Sequence, residues 1–261
     1  DAFADKTFSF MAKGAAAASA GITGALAAST AAGASFESQM STVQAISQAS
    51  GTEMARLKAL AKQMGIETKF SATEAGQGLE YMAMAGWEVD SMLAGLPGIM
   101  NLAAASGEEL GQVSDIVTDS MTAFNLEASR SAEFTDVLAQ ASARSNTDVA
   151  TMGQTFKYVA PVAGALGFSI QDTAVAIGLM ANAGIKGEQA GTSLRAMFTR
   201  IVKPTAEVEA AMSRIGLTVS NSDGSMRSLD EILRDLRTGF AGLSESERAS
   251  TAASLAGQEA M

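Results

Sequence analysis

The chain has no histidine and no cysteine among its 261 residues. Without histidine the usual general base near neutral pH is missing, and without either residue nucleophilic triads and most zinc sites cannot be built. No disulfide can form, so cysteine gives no information on the redox compartment. Composition still allows a pair of carboxylates or a Ser–Lys arrangement, but neither has a visible motif. Asp115, Asp119, Glu127, Glu133 and Asp136 are scattered along helix faces and read as solvated surface. The expectation is a non-enzyme with no cofactor and no metal site.

Basic residues are also scarce: 18 Lys+Arg stand against 28 Asp+Glu, a formal net charge of −10. That balance argues against a nucleic-acid binder, which needs a basic face to displace counterions from phosphates, and against strong attraction to anionic lipid. There are only 3 prolines, which favours helices, and aromatics make up 5%. The hydrophobic share of 47% is enough for a core, but much of it is alanine, which favours closely packed helices over a thick interior. The length fits one large domain or two small ones. The first residue is Asp, so the chain reads as part of a longer polypeptide, and its start lacks the regions of a signal peptide.

What is present centres on residues 149–203, a nearly uncharged stretch rich in Ala and Gly. An earlier stretch echoes it at a constant spacing of 77 positions. Tyr81 pairs with Tyr158, Gly76-Gln77 with Gly153-Gln154, Leu102 with Leu179, Gly107 with Gly184 and Gln112 with Gln189. Bulky positions follow: Leu79 with Phe156, Val117 with Leu194, Met121 with Phe198, Phe124 with Ile201. A fixed spacing over so long a span reads as two copies of one helical unit, 72–124 and 149–201, to be superposed without a gap. Pro97 and Pro161 do not correspond, so the kinks should differ.

From Gly14 to Phe36 no residue is charged, and Ala16, Ala20, Gly24, Ala28 and Ala32 recur every fourth position beside Ile22 and Leu26. On a helix that row is a groove where a second helix can approach closely, so these five residues are candidates for self-association. The run is long enough for a bilayer at ~20 residues, though its small residues make insertion marginal, which keeps a membrane-active pore or translocator as the alternative function. An unrelated helical carboxylate hydrolase comes third.

The remainder reads as short amphipathic helices. Ser50/Glu53, Ser71/Glu74, Ser106/Glu109, Ser228/Glu231 and Ser244/Glu247 have capping-box spacing, and Ser169 with Asp172 can cap another helix. Residues 128–142 form a linking helix with Phe134, Val137, Leu138 and Ala141 inward. Pro204 stops the helix that carries Phe198 and Ile201. At residues 217–228 the period changes to two around Asn221-Ser-Asp-Gly224, which suggests a small β-hairpin. The last helix starts near Ser244 and runs on at Met261. Trp87, the only tryptophan, stands at a helix turn as a candidate interface anchor or as plain packing. The turn from Gly178 to Lys186 has the wrong spacing for a phosphate loop. The fold class is therefore all-α: a multi-helix core with an internal duplication, a long small-residue N-terminal helix and one hairpin. Its segments are 1–36, 37–203 and 204–261.

Several ordered blocks, FSATEAGQGLEYMAMAGW, LPGIMNLAAASGEELGQVSDIVTDSMTAF, FKYVAPVAGALGFSIQDTAVAIGLMANAGIKGEQAGTSLRAMF and SNSDGSMRSLDEILRDL, together resemble the core region of phage tail tape measure proteins. The resemblance runs from about Phe36 to Met261. It implies a structural virion protein that lies in the tail tube lumen or at the tail tip as a small bundle of identical chains, often a trimer. Such proteins set tail length during assembly and meet tail tube and tip proteins. They leave the lumen at infection, when parts can help DNA cross the host envelope. The long helical ruler of such proteins is not visible in this chain, nor is a cell-wall hydrolase domain.

Overall fold

A computed structural model describes residues 30–257. Its first helix, α1, covers 30–47 and passes through the 36/37 position. It is followed by α2 (Gly51–Glu67), α3 (Ala72–Met84), α4 (Val89–Ser106), α5 (Leu110–Ala123), a 3-10 turn (Ala128–Arg130) and α6 (Ser131–Arg144). Then come α7 (Val149–Ala165), α8 (Ile170–Asn182), α9 (Gly187–Val202), α10 (Ala206–Arg214), α11 (Leu229–Ala241) and α12 (Glu245–Ala256).

Sequence explains where most of these helices begin. Ser50, Ser71 and Ser228 accept a hydrogen bond from the N–H three residues on, while the Glu at that position takes the cap's own N–H. Ser169 accepts from the Asp172 N–H at 3.0 Å, and the Ser244 N–H donates to the Glu247 carboxylate at 3.0 Å. Each such cap is worth about 1 kcal/mol. The Ser106/Glu109 pair does not behave this way. α4 runs to Ser106 itself and ends at Gly107 in the left-handed conformation, so Glu109 takes the cap position of α5 without a side-chain bond. The Ser106 hydroxyl instead accepts from the Glu108 N–H.

Successive helices alternate between two rows. The odd helices pack side by side in the order α3, α5, α7, α9, and the even helices in the order α2, α4, α6, α8. α1 joins the odd row, with Gln39 and Met40 seated at Gly76 of α3. Neither row could bury both faces of its helices alone. Stacking the rows yields one continuous apolar core from Phe36 to Leu255, as in helical solenoids. At the far end α10 and α12 pack on each other and on α9, while α11 packs on α8.

The spacing of 77 positions can be compared with these bounds. Shifted by that amount, the start of α3 falls on the start of α7 and the start of α5 on that of α9. The ends of α4 and α8 then differ by one residue, and those of α5 and α9 by two. The turn between first and second helices does not fit: α7 ends, and α8 begins, four residues late. The gap-free superposition fails there. The cause is the glycine that stops the first helix. Gly86 (φ 77°) and Gly167 (φ 74°) do this work in the two units, and in the second it stands one helical turn farther on. Each is followed by an aromatic residue whose N–H closes the helix end, Trp87 on Met82 and Phe168 on Ala163, both at 3.0 Å. The extra turn in α7 is taken out of α8, and register returns at Gly107 and Gly184 (φ 79° and 87°). Pro97 lies inside α4 and Pro161 inside α7.

Elsewhere the two units use the same spots. Gly153 seats Ile116 as Gly76 seats Gln39, and Tyr81 lies against Gly111, whose counterpart Glu188 bonds Tyr158. Leu79, Val117, Met121, Phe124, Phe156, Leu194, Phe198 and Ile201 are all buried.

Two other expectations change. The hairpin near 217–228 reduces to a single antiparallel bridge, Ser220 with Met226, beside bonds from the Arg227 N–H to the Val219 carbonyl and from the Asn221 N–H to the Ser225 carbonyl. Asp223 takes the Ser225 N–H and hydroxyl, and such local bonds compete with a ladder. A two-stranded ribbon with no third strand is marginal in any case. The final helix stops at Ala256, because Gly257 (φ 87°, ψ 159°) adopts a backbone conformation that side chains disfavour.

Candidate assembly surfaces

Of the small-residue row, Ala16, Ala20, Gly24 and Ala28 lie outside the described residues, and Ala32 is exposed on α1. Trp87 is half-buried. Its ring closes on Gly95 of α4, where an added Cβ would lie 2.6 Å from the ring and 3.0 Å from the Ser131 hydroxyl of α6. Much of its area is therefore used within the chain, between α4 and α6.

The acidic positions are engaged one by one. Asp115 and Asp119 on α5 hold Lys157 of α7, at 2.9 and 3.5 Å. The hydrogen bond to Asp115 raises the Lys157 pKa against the opposing effect of burial. All three side chains are 40–54% exposed, so each pair adds at most about 1 kcal/mol. Glu133 takes Arg130 and Gln171, and Arg130, named first by size of effect, holds its pKa down. The Tyr158 hydroxyl donates to Glu188, and that bond, with burial, raises the phenol's pKa. Among the described residues no three acidic side chains come together in a way that could hold a metal ion.

A broad groove of about 1040 Å³ runs between α3 and the start of α5, lined by Glu74, Glu80, Glu108, Glu109, Tyr81 and Gln112 among others. It is a solvated acidic surface, with Glu80 already accepting from Gln39 at 2.6 Å.

The surface that sequence reasoning missed is on α8. Val175 and Leu179 are each 55% exposed. A cleft of about 300 Å³ separates α8 from α6, lined by Val137, Ala141, Ala174, Gly178 and Leu179 with Arg144 at its rim. On the other side Leu179 borders a hollow of about 220 Å³ shared with Met180, Leu194, Met197, Leu233 and Leu236. The signal was available. α8 is apolar nearly all round, and such a helix must be buried by something.

This arrangement, a two-row helical array with apolar and acidic outer faces and no reaction centre among the described residues, suits a part that is assembled rather than one that turns over a substrate. Comparison with known proteins decides which assembly. The phage-related minor tail protein family matches residues 58–257. The chain belongs to that family. Among individual relatives, it is 42% identical over 240 residues, 92% of its length, to the tape measure protein of Pneumococcus phage Dp-1. It is 32% identical over 188 residues, 72% of its length, to the probable tape measure protein of Escherichia phage P2. It spans only 21% and 23% of those two proteins. No solved structure matches it. Among the described residues no helix is long and apolar enough to cross a membrane, and most of the 14–36 run lies outside them.

Proposed function

We propose that this chain is the helical core of a tape measure protein, a non-enzymatic part of a phage or phage-like tail that takes part in tail assembly and length determination. The observation that carries this reading is the 42% identity to the Dp-1 protein across 92% of the chain. The two-row array supports it, because repeated helical units bury their faces against neighbours and extend along one direction. The place we assign is the tail tube lumen or tip, in contact with tube and tip proteins and with further copies of the chain, and the role extends to genome delivery through the host envelope. The test is genetic. A nonsense codon within 58–257 of the full-length gene should leave filled heads without tails in electron micrographs. Normal tails in normal number would overturn the assignment. Purified chain should release no soluble muropeptides from cell walls.

The row Ala16, Ala20, Gly24, Ala28 and Ala32 is proposed as one contact between copies. Two large side chains in a close-packed groove, Ala20→Leu with Gly24→Leu, should lower the sedimentation mass of an oligomeric wild type. An unchanged mass rules that contact out.

A further inference from the structure

We propose that the exposed face of α8, centred on Leu179, is a contact between two copies of this chain, made by two α8 helices crossing antiparallel. The proposal rests on reading the chain as self-associating, and its test separates the two.

The chain supplies its own control. Leu102 on α4 and Leu179 on α8 stand 77 positions apart. Leu102 is 3% exposed and Leu179 is 55% exposed. On α4, α6 lies across the outer face, with Thr135 Oγ1 3.1 Å from where a Cβ on Gly98 would be. Gly98 is the counterpart of Val175. For α8 the helix in α6's place would be α10, but α10 packs on α9 and α12. The even row therefore ends on α8 with Val175 and Leu179 uncovered, and with a hollow on each side of Leu179 able to take an apolar side chain. An end unit of a stacked array normally turns a polar face outward.

Charge selects the occupant. With a net charge of −10, two copies repel over most of their surfaces. Between Asp172 and Lys186 no residue is charged, so along this helix a second copy can approach closely. The two charges that bound the stretch lie seven positions before and seven after Leu179, about two helical turns each way. When two copies of α8 cross antiparallel at Leu179, Asp172 of each is brought toward Lys186 of the other, twice over, as a two-fold contact requires. A parallel crossing would place like charges together.

The absence of cysteine makes the test clean. A Leu179→Cys chain carries one thiol at the centre of the two-fold contact. Under mild oxidation it should form a disulfide-linked dimer about ten-fold faster than a Thr52→Cys chain, whose thiol is exposed on α2. Adding Asp172→Lys or Lys186→Glu should slow linkage about ten-fold, and adding both should restore it. All these positions are partly or fully exposed, and helical circular dichroism confirms that each variant is folded. If wild type self-associates in sedimentation while Leu179→Cys links no faster than Thr52→Cys, the α8 contact is wrong and the self-association reading survives. If wild type is a monomer and Leu179→Cys does not link, both fall. Failure of the double reversal to restore linkage overturns the antiparallel crossing.

Discussion

Replacing Phe156 with alanine should cost about 3–5 kcal/mol of stability, the largest loss expected from any single truncation in this chain. Phe156 is fully buried on α7. Its ring meets Phe124 at 6.0 Å and Phe134 at 5.8 Å between centroids, both edge-on at 70°. Those partners stand at the end of α5 and inside α6, so one side chain ties the two rows together where the units join. Edge-on pairs add about 0.5–1.5 kcal/mol each beyond area burial, and a domain has only about 5–15 kcal/mol in total. The Phe156→Ala chain should show a lower urea midpoint with little change in slope. Phe156→Leu, which keeps most of the volume, should lose less than half as much. A loss below about 1 kcal/mol for alanine would mean the site collapses around the gap, and that the aromatic triad is not the joint described here.

Much of this joint was legible in the sequence. Phe156 and Phe134 sit at core positions of amphipathic patterns, and the Ser–Glu pairs at 50, 71 and 228 mark helix starts because the cap uses only side chains within one turn. Local signals of that kind need no knowledge of the fold. The shifted turn was harder. Tyr81 and Tyr158 fix the spacing, but the helix stop depends on which glycine adopts positive φ, and Gly164 and Gly167 compete for that role within one turn of α7. Gly167 takes it, while Gly164 stays helical because the α5 backbone lies against it, 2.7 Å from a hypothetical Cβ to the Ala123 carbonyl. That contact is between elements 41 residues apart, and no local pattern shows it. The open face of α8 was invisible for the same reason. Periodicity tells which side of a helix is apolar, but not that α10 turns away from Val175 and Leu179.

Gly153→Ala and Gly76→Ala should differ in effect although the two glycines are counterparts. In an exposed helix interior, glycine to alanine gains about 1 kcal/mol. At Gly153 a new Cβ would lie 2.5 Å from Cδ1 and 2.7 Å from Cγ2 of Ile116. Ile116 is β-branched and only 3% exposed, so it has few rotamers and no space to retreat. Overpacking of this sort costs about 1–3 kcal/mol and cancels or outweighs the helical gain. At Gly76 the nearest atom is Gln39 Cγ at 2.8 Å, then Met40 Sδ at 3.3 Å. Gln39 is unbranched and half-buried, and it can swing aside at the expense of its bond to Glu80. Gly76→Ala should therefore lie within about 0.5 kcal/mol of wild type. The decisive measurement is a double-mutant cycle by urea denaturation. Ile116→Ala alone destabilises by leaving a gap, but combined with Gly153→Ala it should lose less than the sum of the two, by about 1 kcal/mol or more. If the two losses simply add, or if Gly153→Ala raises the urea midpoint, α5 and α7 are not in the close approach that seats one unit on the next.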